Sequence, residues 1–448
     1  MPHMSKDFHI SIYQSRYTYQ WKKYKDLHKQ KTCDKKTTTH DITSYKMFRL
    51  SIAILALVAA ANAAVHNVTS FGADPTGRRS STEAIALAIN AAAAENGGIV
   101  HLPAGSYSSG PIELKDGVIL DVAAGCVITF LPDANLYPPL IVKLPGKMRH
   151  LPFTPLIRAT GVKNVGIRGE GILEGNGPIW WNRLPPPATR PTFIYGFDSH
   201  NFVINGVTIR NSPMNNIHLC DTTGISIQRV KIFNPPDFHG KGPNTDGINL
   251  ISCRYVHIAG CTIGTGDDCI ALNAGGIGSK RIATTNVLIE DCHMTAGHAA
   301  VSVGSVTSGG LHNITVRNLM VENTVRGLFI KTNRERGGLI ENINYSNIIM
   351  LNVRGEGIAI STVYDSKHQD YHNKDIPEEP IKDTTPFIRD ITYDGIGGSC
   401  GNEPVLLVGV PESPVRNINI SNLNVRSLKH KGNYLYHTDS IVINGRQQ

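Results

Sequence analysis

From residue 164 onward one pattern of apolar and polar positions keeps returning. An alternating apolar run is followed by a tight polar turn and a second short apolar run. It reads NVGIRGEGI from Asn164, NFVINGVTI from Asn201, GISIQRVKI from Gly224 and YVHIAGCTI from Tyr255. It continues as NVLIEDCHM from Asn286, NITVRNLMV from Asn313, NINYSNIIM from Asn342 and NINISNLNV from Asn417, with a weaker copy, DITYDGIGG, from Asp390. The copies are irregularly spaced, mostly 23 to 31 residues apart, and no segment between them shows a helical period, so a βαβ arrangement fails. Such units bury their apolar faces only by stacking on one another. The pattern therefore predicts an all-β chain, a right-handed parallel β-helix with one coil per repeat and about 4.8 Å between coils. One helix precedes the array: SSTEAIALAINAAAAENGG carries a Ser80-x-x-Glu83 capping box and ends at Gly97 and Gly98, a good lid for the first coil.

Residues 1–46 are polar and lack either period. From Met47 a short basic start leads into the apolar run Leu50 to Ala61, too short to span a membrane, and Ala61-Asn62-Ala63 resembles a signal-peptidase site. We expect residues 1–46 to be a gene-model extension, 47–63 a signal peptide and 64–448 a single β-helix domain, giving a secreted, extracellular protein. This changes the charge picture. Of the 44 Lys and Arg, 11 lie in residues 1–63, as do 4 of the 36 Asp and Glu; the remainder holds 33 basic against 32 acidic residues, or +1. The total of +8 is thus no argument for a nucleic-acid partner. Seven cysteines follow the leader, and in a secreted protein some of them are expected to pair, with at least one left free. Sequons at Asn67, Asn313, Asn344 and Asn419 fit secretion and glycosylation.

The candidate chemistry lies within the repeats. Asp246 stands in NTDG, and Asp267 and Asp268 are adjacent in TGDDC one short coil later. His298 and Lys331 follow at further intervals of about one coil. Stacked coils would place them on successive rungs of one wall, with the carboxylates about 5–10 Å apart. Inverting glycoside hydrolysis needs a protonated carboxyl and a water-activating carboxylate about 6.5–9.5 Å apart. Crowding keeps one of a set of carboxyls protonated, and the two basic residues suit an acidic sugar polymer. Asp beside Gly also serves turns, and either motif alone reads as one. Trp180 and Trp181 are candidates for sugar stacking, and LPPPATRP at 184–191 for a loop on the wall. His239 is a candidate for the cleft, and His257 sits in a strand as a structural residue. GGIGSK at 275–280 lacks P-loop spacing, and no histidine or cysteine set has metal-ligand spacing, so neither a cofactor nor a metal is expected.

NTDG at 244–247, GDDC at 266–269, GH at 297–298 and IK at 330–331, in this order, resemble the four signature blocks of family 28 glycoside hydrolases, the polygalacturonases and their relatives. VTSFGADPTG, GGIVHLPAGSY and GILEGNGPIWW extend the resemblance over nearly all of residues 65–448. The resemblance implies a pectin-lyase-like solenoid, inverting hydrolysis of α-1,4-galacturonosyl linkages and a pectin or galacturonan substrate; we expect a monomer. It also implies roles: Asp267 as general acid, Asp246 and Asp268 holding and activating water, Asn244 and His298 supporting them, and Lys331 on a galacturonate carboxylate. Tyr364, in ISTVYD, resembles a tyrosine set against the sugar.

Two positions depart from the family pattern. Gly-His-Gly has become Gly297-His298-Ala299, and Arg-Ile-Lys has become Phe329-Ile330-Lys331. Loss of the guanidinium removes a bidentate carboxylate partner, while a phenyl ring offers a stacking face. Methyl-esterified, substituted or rhamnose-containing pectin thereby gains as substrate. Arg334 and Arg336 are candidates to restore the charge, and Phe329→Arg is expected to raise activity on unesterified polymer. A calcium-dependent lyase on the same solenoid and a non-catalytic pectin-binding relative stay open as alternatives.

Overall fold

In the computed structural model the described residues are 64–181, 190–235, 242–275, 282–366, 370–372 and 375–448. Contacts divide the chain into Met1–Leu57 and Val58–Gln448, and only the second unit contains described residues. The expected leader therefore lies outside them, as do His239 and most of LPPPATRP and GGIGSK.

The unit is a parallel β-helix. Its strands join in one continuous 33-stranded sheet, paired in parallel from coil to coil. The repeats legible in the sequence build one long ladder. Its inward residues stack in columns, such as Ile204, Ile227, Ile258 and Ile289, matched in register and fully buried. Farther along, the same column carries Tyr345 and Tyr393, whose rings stack with centroids 4.7 Å apart. Each identical neighbour fills the space the one below leaves, so the column tolerates large side chains but not gaps. Ile258→Ala is expected to lower the unfolding free energy by about 2–5 kcal/mol, read from denaturant midpoints. A loss under about 0.5 kcal/mol would mean the column is not packed as described.

The asparagines that open most repeats have a backbone reason. Asn164, Asn201, Asn286, Asn313, Asn342 and Asn417 all take left-handed φ values between 51° and 57°. Each interrupts its ladder without shifting the register: Lys163 pairs with His200 and Val165 with Phe202, with Asn164 and Asn201 between. Asparagine tolerates this conformation better than other side chains. Asn201 Nδ2 also donates to Asn164 Oδ1 on the coil below, at 2.9 Å.

A second ladder has strands of about four residues and was not legible as a repeat. Ile194, Ile217, Ile248, Ile270, Val301, Leu328 and Ile358 stack inward in register. Its outward face forms a floor, with Tyr195, His218, Asn249, Ala271, Ser302 and Phe329 in one column. Two structures cover the ends of this floor. The antiparallel hairpin Leu140–Leu144 and Lys147–Leu151 packs on Tyr195, Phe197 and Cys220. The segment after Ser361 packs Val363, Tyr364, Tyr371 and Ile376 against Phe329, Ala359 and Val408.

Helix Thr82–Ala94 caps the first coil, burying Ile85, Ala88, Ile89 and Ala92 against the core. The expected capping box does not form. Ser81 is the N-cap, and its hydroxyl accepts from the Asp74 amide instead. The expected disulfides are also absent: the seven described cysteines are free and buried. They act as small apolar residues among the coils, with thiols donating to carbonyls, as Cys253 Sγ does to Leu219 O at 3.3 Å. Trp180 and Trp181 are buried too; Trp180 packs edge-on to Tyr137 and Phe153, and Trp181 Nε1 donates to Pro213 O. Neither offers an open face to a sugar.

Candidate active site

Asp246, Asp267 and Asp268 sit where strands of the floor ladder begin. The Gly247 amide donates to Asp268 O and the His298 amide to Asp267 O, at 2.9 Å each, so these residues occupy three consecutive coils. Local threonines tie the two acidic turns together. Thr245 Oγ1 accepts from the Gly266 amide, and Thr265 Oγ1 donates to Asp267 O. Gly266 is required here: a Cβ at this position would run into the Gly242 carbonyl.

The three carboxylates meet different surroundings. Asp268 is buried; it accepts from Lys331 Nζ at 2.7 Å and from the Ala299 amide at 3.1 Å. Asp267 keeps 21% of its side chain exposed. It accepts from the Asp268 amide at 2.8 Å, faces Asn244 Nδ2 at 3.5 Å and lies 3.3 Å from His298 Nδ1. Asp246 accepts from Asn249 Nδ2 at 2.9 Å. Asp246 and Asp267 are both part-exposed, so solvent reaches them.

Their protonation differs accordingly. Desolvation, then the neighbouring charges of Asp267 and Asp268, push Asp246 well above the usual carboxylate range. Burial opposes the charge of Asp267 too, but the hydrogen bond and charge of His298, with help from Lys331, hold it below that range. Burial likewise opposes the charge of Lys331, and Asp268 and Tyr364 more than reverse this, keeping it a firm cation. Asp246 thus holds its proton to higher pH than Asp267 does.

Lys331 does not stack above His298 as spacing alone suggested. Leu328 pairs with Val301, so Lys331 lies farther along its strand and reaches Asp268 by its side chain. Tyr364 stands beside it, with Lys331 Nζ 5.0 Å from the ring centroid. Three expectations about binding residues change. Phe329 offers no stacking face: at 2% exposure it is sealed beneath Tyr364, Tyr371 and Arg326. Arg334 is bound to Glu412 at 2.6 Å and Glu379 at 3.2 Å, so its charge is already met, whereas Arg336 pairs with the exposed Asp365 at 2.7 Å and lies 5.7 Å from the Tyr364 ring centroid. Ala299 does not take a left-handed φ, and its methyl is buried against the Phe329 cluster. The two departures from the motif, distant in sequence, form one apolar patch. Phe329→Arg is therefore expected to destabilise the fold by about 3 kcal/mol or more, since it buries a cation beside Arg326 and Lys331. Thermal melting checks this; a stable variant with raised activity on unesterified polymer would restore the sequence-based expectation.

Two contributors were missed from sequence. Arg190 donates to Pro243 O at 2.7 Å and to Asn244 Oδ1 at 3.0 Å, fixing the turn that carries Asn244. Asn249 holds Asp246. The first comes from a proline-rich loop with no periodic signal; the second was readable as an outward position three residues after Asp246.

The family model described as glycosyl hydrolases family 28 matches residues 141–438, and one described as rhamnogalacturonase A/epimerase, pectate lyase-like matches residues 65–127. A polygalacturonase of Prunus persica is 29% identical over 85% of this chain and 91% of its own length. A probable polygalacturonase of Vitis vinifera is 29% identical over 80% and 74%. Among solved structures, an exopolygalacturonase from Thermotoga maritima superposes with a TM-score of 0.73 at 26% identity, covering 90% of this chain and 97% of that one. A polygalacturonase from Erwinia carotovora ssp. carotovora gives 0.63 at 25%, covering 84% and 96%. By the extent of the family match and by the coils that carry its acidic residues, this chain is a glycoside hydrolase and belongs to family 28.

Proposed function

We propose that the protein is a secreted pectin-degrading hydrolase that cleaves α-1,4-galacturonosyl linkages with inversion. The observation that carries this reading is the meeting of three carboxylates, two of them part-exposed and the buried third bonded to Lys331. The similarity to polygalacturonases supports the substrate class. Asp267 serves as general acid to the leaving oxygen, while Asp246 and Asp268 hold and activate water. Asn244 and His298 position Asp267, and Lys331 and Tyr364 face the sugar. No step needs a cofactor.

Asp267 is more acidic than Asp246, so the reading requires bound substrate to change that. A galacturonate carboxylate near Lys331 offsets the positive potential that depresses Asp267, and a bound sugar displaces water from it; both raise its pKa. The raised pKa of Asp246 favours a second reading with roles exchanged: Asp246 as acid and Asp267 as base.

The test is incubation of purified protein with polygalacturonate, methylated pectin, xylogalacturonan and rhamnogalacturonan, following reducing ends and product sizes. Release from the first is expected. No release from any of the four rejects hydrolysis of pectin. An unsaturated, ultraviolet-absorbing product that vanishes with chelator would favour the lyase alternative.

A further inference from the structure

The patch formed by Ala299 and Phe329 is a seat for another cation. We propose that Arg326, stacked on Phe329, is the guanidinium that binds a substrate carboxylate beside the scissile bond and so sets preference for unesterified over esterified uronate. This inference rests on the function proposed above.

Register places Arg326 one coil beyond Ala299, whose amide donates to Asp268. Its guanidinium lies 4.8 Å from the centroid of Phe329 and 5.7 Å from that of Tyr371. Lys331 Nζ lies 5.5 Å from the same Phe329 ring. One ring therefore gathers two cations, and one of them already touches Asp268. Stacking fixes the plane of a guanidinium while leaving its N–H edge to donate, which is the geometry that suits a bidentate carboxylate.

Glu356 sets the orientation. Its buried carboxylate lies 2.8 Å from Arg326 Nε and accepts from Asn402 Nδ2 at 3.0 Å. A guanidinium has five donors, so a pair through Nε does not exhaust it. Arg326 retains 26% of its side-chain surface, whereas Arg334 keeps 16% and serves two carboxylates and a carbonyl. The loss of Arg at position 329 is thus compensated three residues earlier on the same strand. The apolar side chains at 299 and 329 are what the displaced guanidinium lies on. Because Glu356 balances part of the charge, the effect of losing Arg326 is limited.

The test measures binding apart from turnover. In an Asp267→Asn background, calorimetry compares a galacturonate hexamer with its fully methyl-esterified counterpart. Adding Arg326→Gln is expected to weaken hexamer binding about tenfold and leave the ester unchanged. Equal weakening of both ligands would mean that Arg326 only supports the fold. No weakening of either, or no hexamer binding by protein that retains Arg326, would also overturn the proposal. If Arg326→Gln does not fold, Arg326→Lys carries the test, because it keeps the charge and loses the fork. The preference for acid over ester should then fall, and an unchanged preference counts against the proposal. Failure of the unmodified protein to hydrolyse any polymer would reject the functional reading while leaving this difference in binding standing.

Discussion

Asp267→Asn is expected to lower kcat on polygalacturonate by about 10²–10⁴-fold while leaving oligogalacturonate affinity nearly unchanged. The change removes a transferable proton and little volume. Asp267 accepts from a backbone amide and lies near His298, and an amide side chain can occupy the same space with less polar complementarity. The informative comparison uses an aryl galacturonoside whose phenolate leaves without protonation. If Asp267 is the acid, its Asn variant retains most activity on this compound, and Asp246→Asn does not. The reverse pattern would assign the acid to Asp246, whose pKa is the raised one. Equal losses for both substrates in both variants would mean that neither group acts as the proton donor.

Lys331→Met is expected to cause the second large loss, for two reasons with separate readouts. Lys331 and Asp268 form a buried pair at 2.7 Å, and removing one partner of such a pair costs about 3–5 kcal/mol of stability. The melting temperature reports this loss. The lysine also lowers the pKa of both Asp246 and Asp267. Without it both carboxyls hold their protons to higher pH. The alkaline limb of kcat, where the cluster loses its donor proton, should then move upward, and the acidic limb, where the base must ionise, should move upward with it. A variant with reduced kcat but unshifted limbs would show that Lys331 acts on the sugar alone and does not tune the carboxylates. The unmodified cluster also makes opposite contributions to stability. The raised pKa of Asp246 stabilises the fold in acid, and this is lost as pH rises above the ordinary carboxylate value. The lowered pKa of Asp267 stabilises above that value, and this is lost as pH falls.

The sequence revealed the long ladder because most of its strands carry an asparagine in left-handed conformation near their start, and that chemistry recurs visibly. The floor ladder was hidden, since strands of four residues such as Ile248–Ile251 and Ile270–Asn273 carry too few positions to show a period. Asp246, Asp267, Asp268 and His298 were legible because the coil length brings them together directly. Lys331 was legible as a residue but not in its placement, because a long side chain spans an offset that counting cannot see. Phe329 shows the main limit. Exchange of Arg for Phe read as a change in what the cleft offers to substrate, whereas the ring turned inward under residues from a separate segment. Tyr371 and Ile376 gave no sequence cue that they would close over it. Pairing of Arg334 with Glu412 likewise depends on two segments far apart in the chain. Cysteines were misread for a related reason: their count suggested bridges, while six of those described lie in the core of the coils and Cys220 lies beneath the hairpin, all as packing residues.

The central claim is single displacement by two carboxyl groups acting from opposite sides of an α-linked galacturonate. Proton NMR of the first sugar released from an oligogalacturonate, recorded before mutarotation, tests it most directly. Appearance of the β-anomer is the expected result. Initial α-anomer would demand a covalent intermediate, and an unsaturated sugar would demand elimination; either contradicts this account.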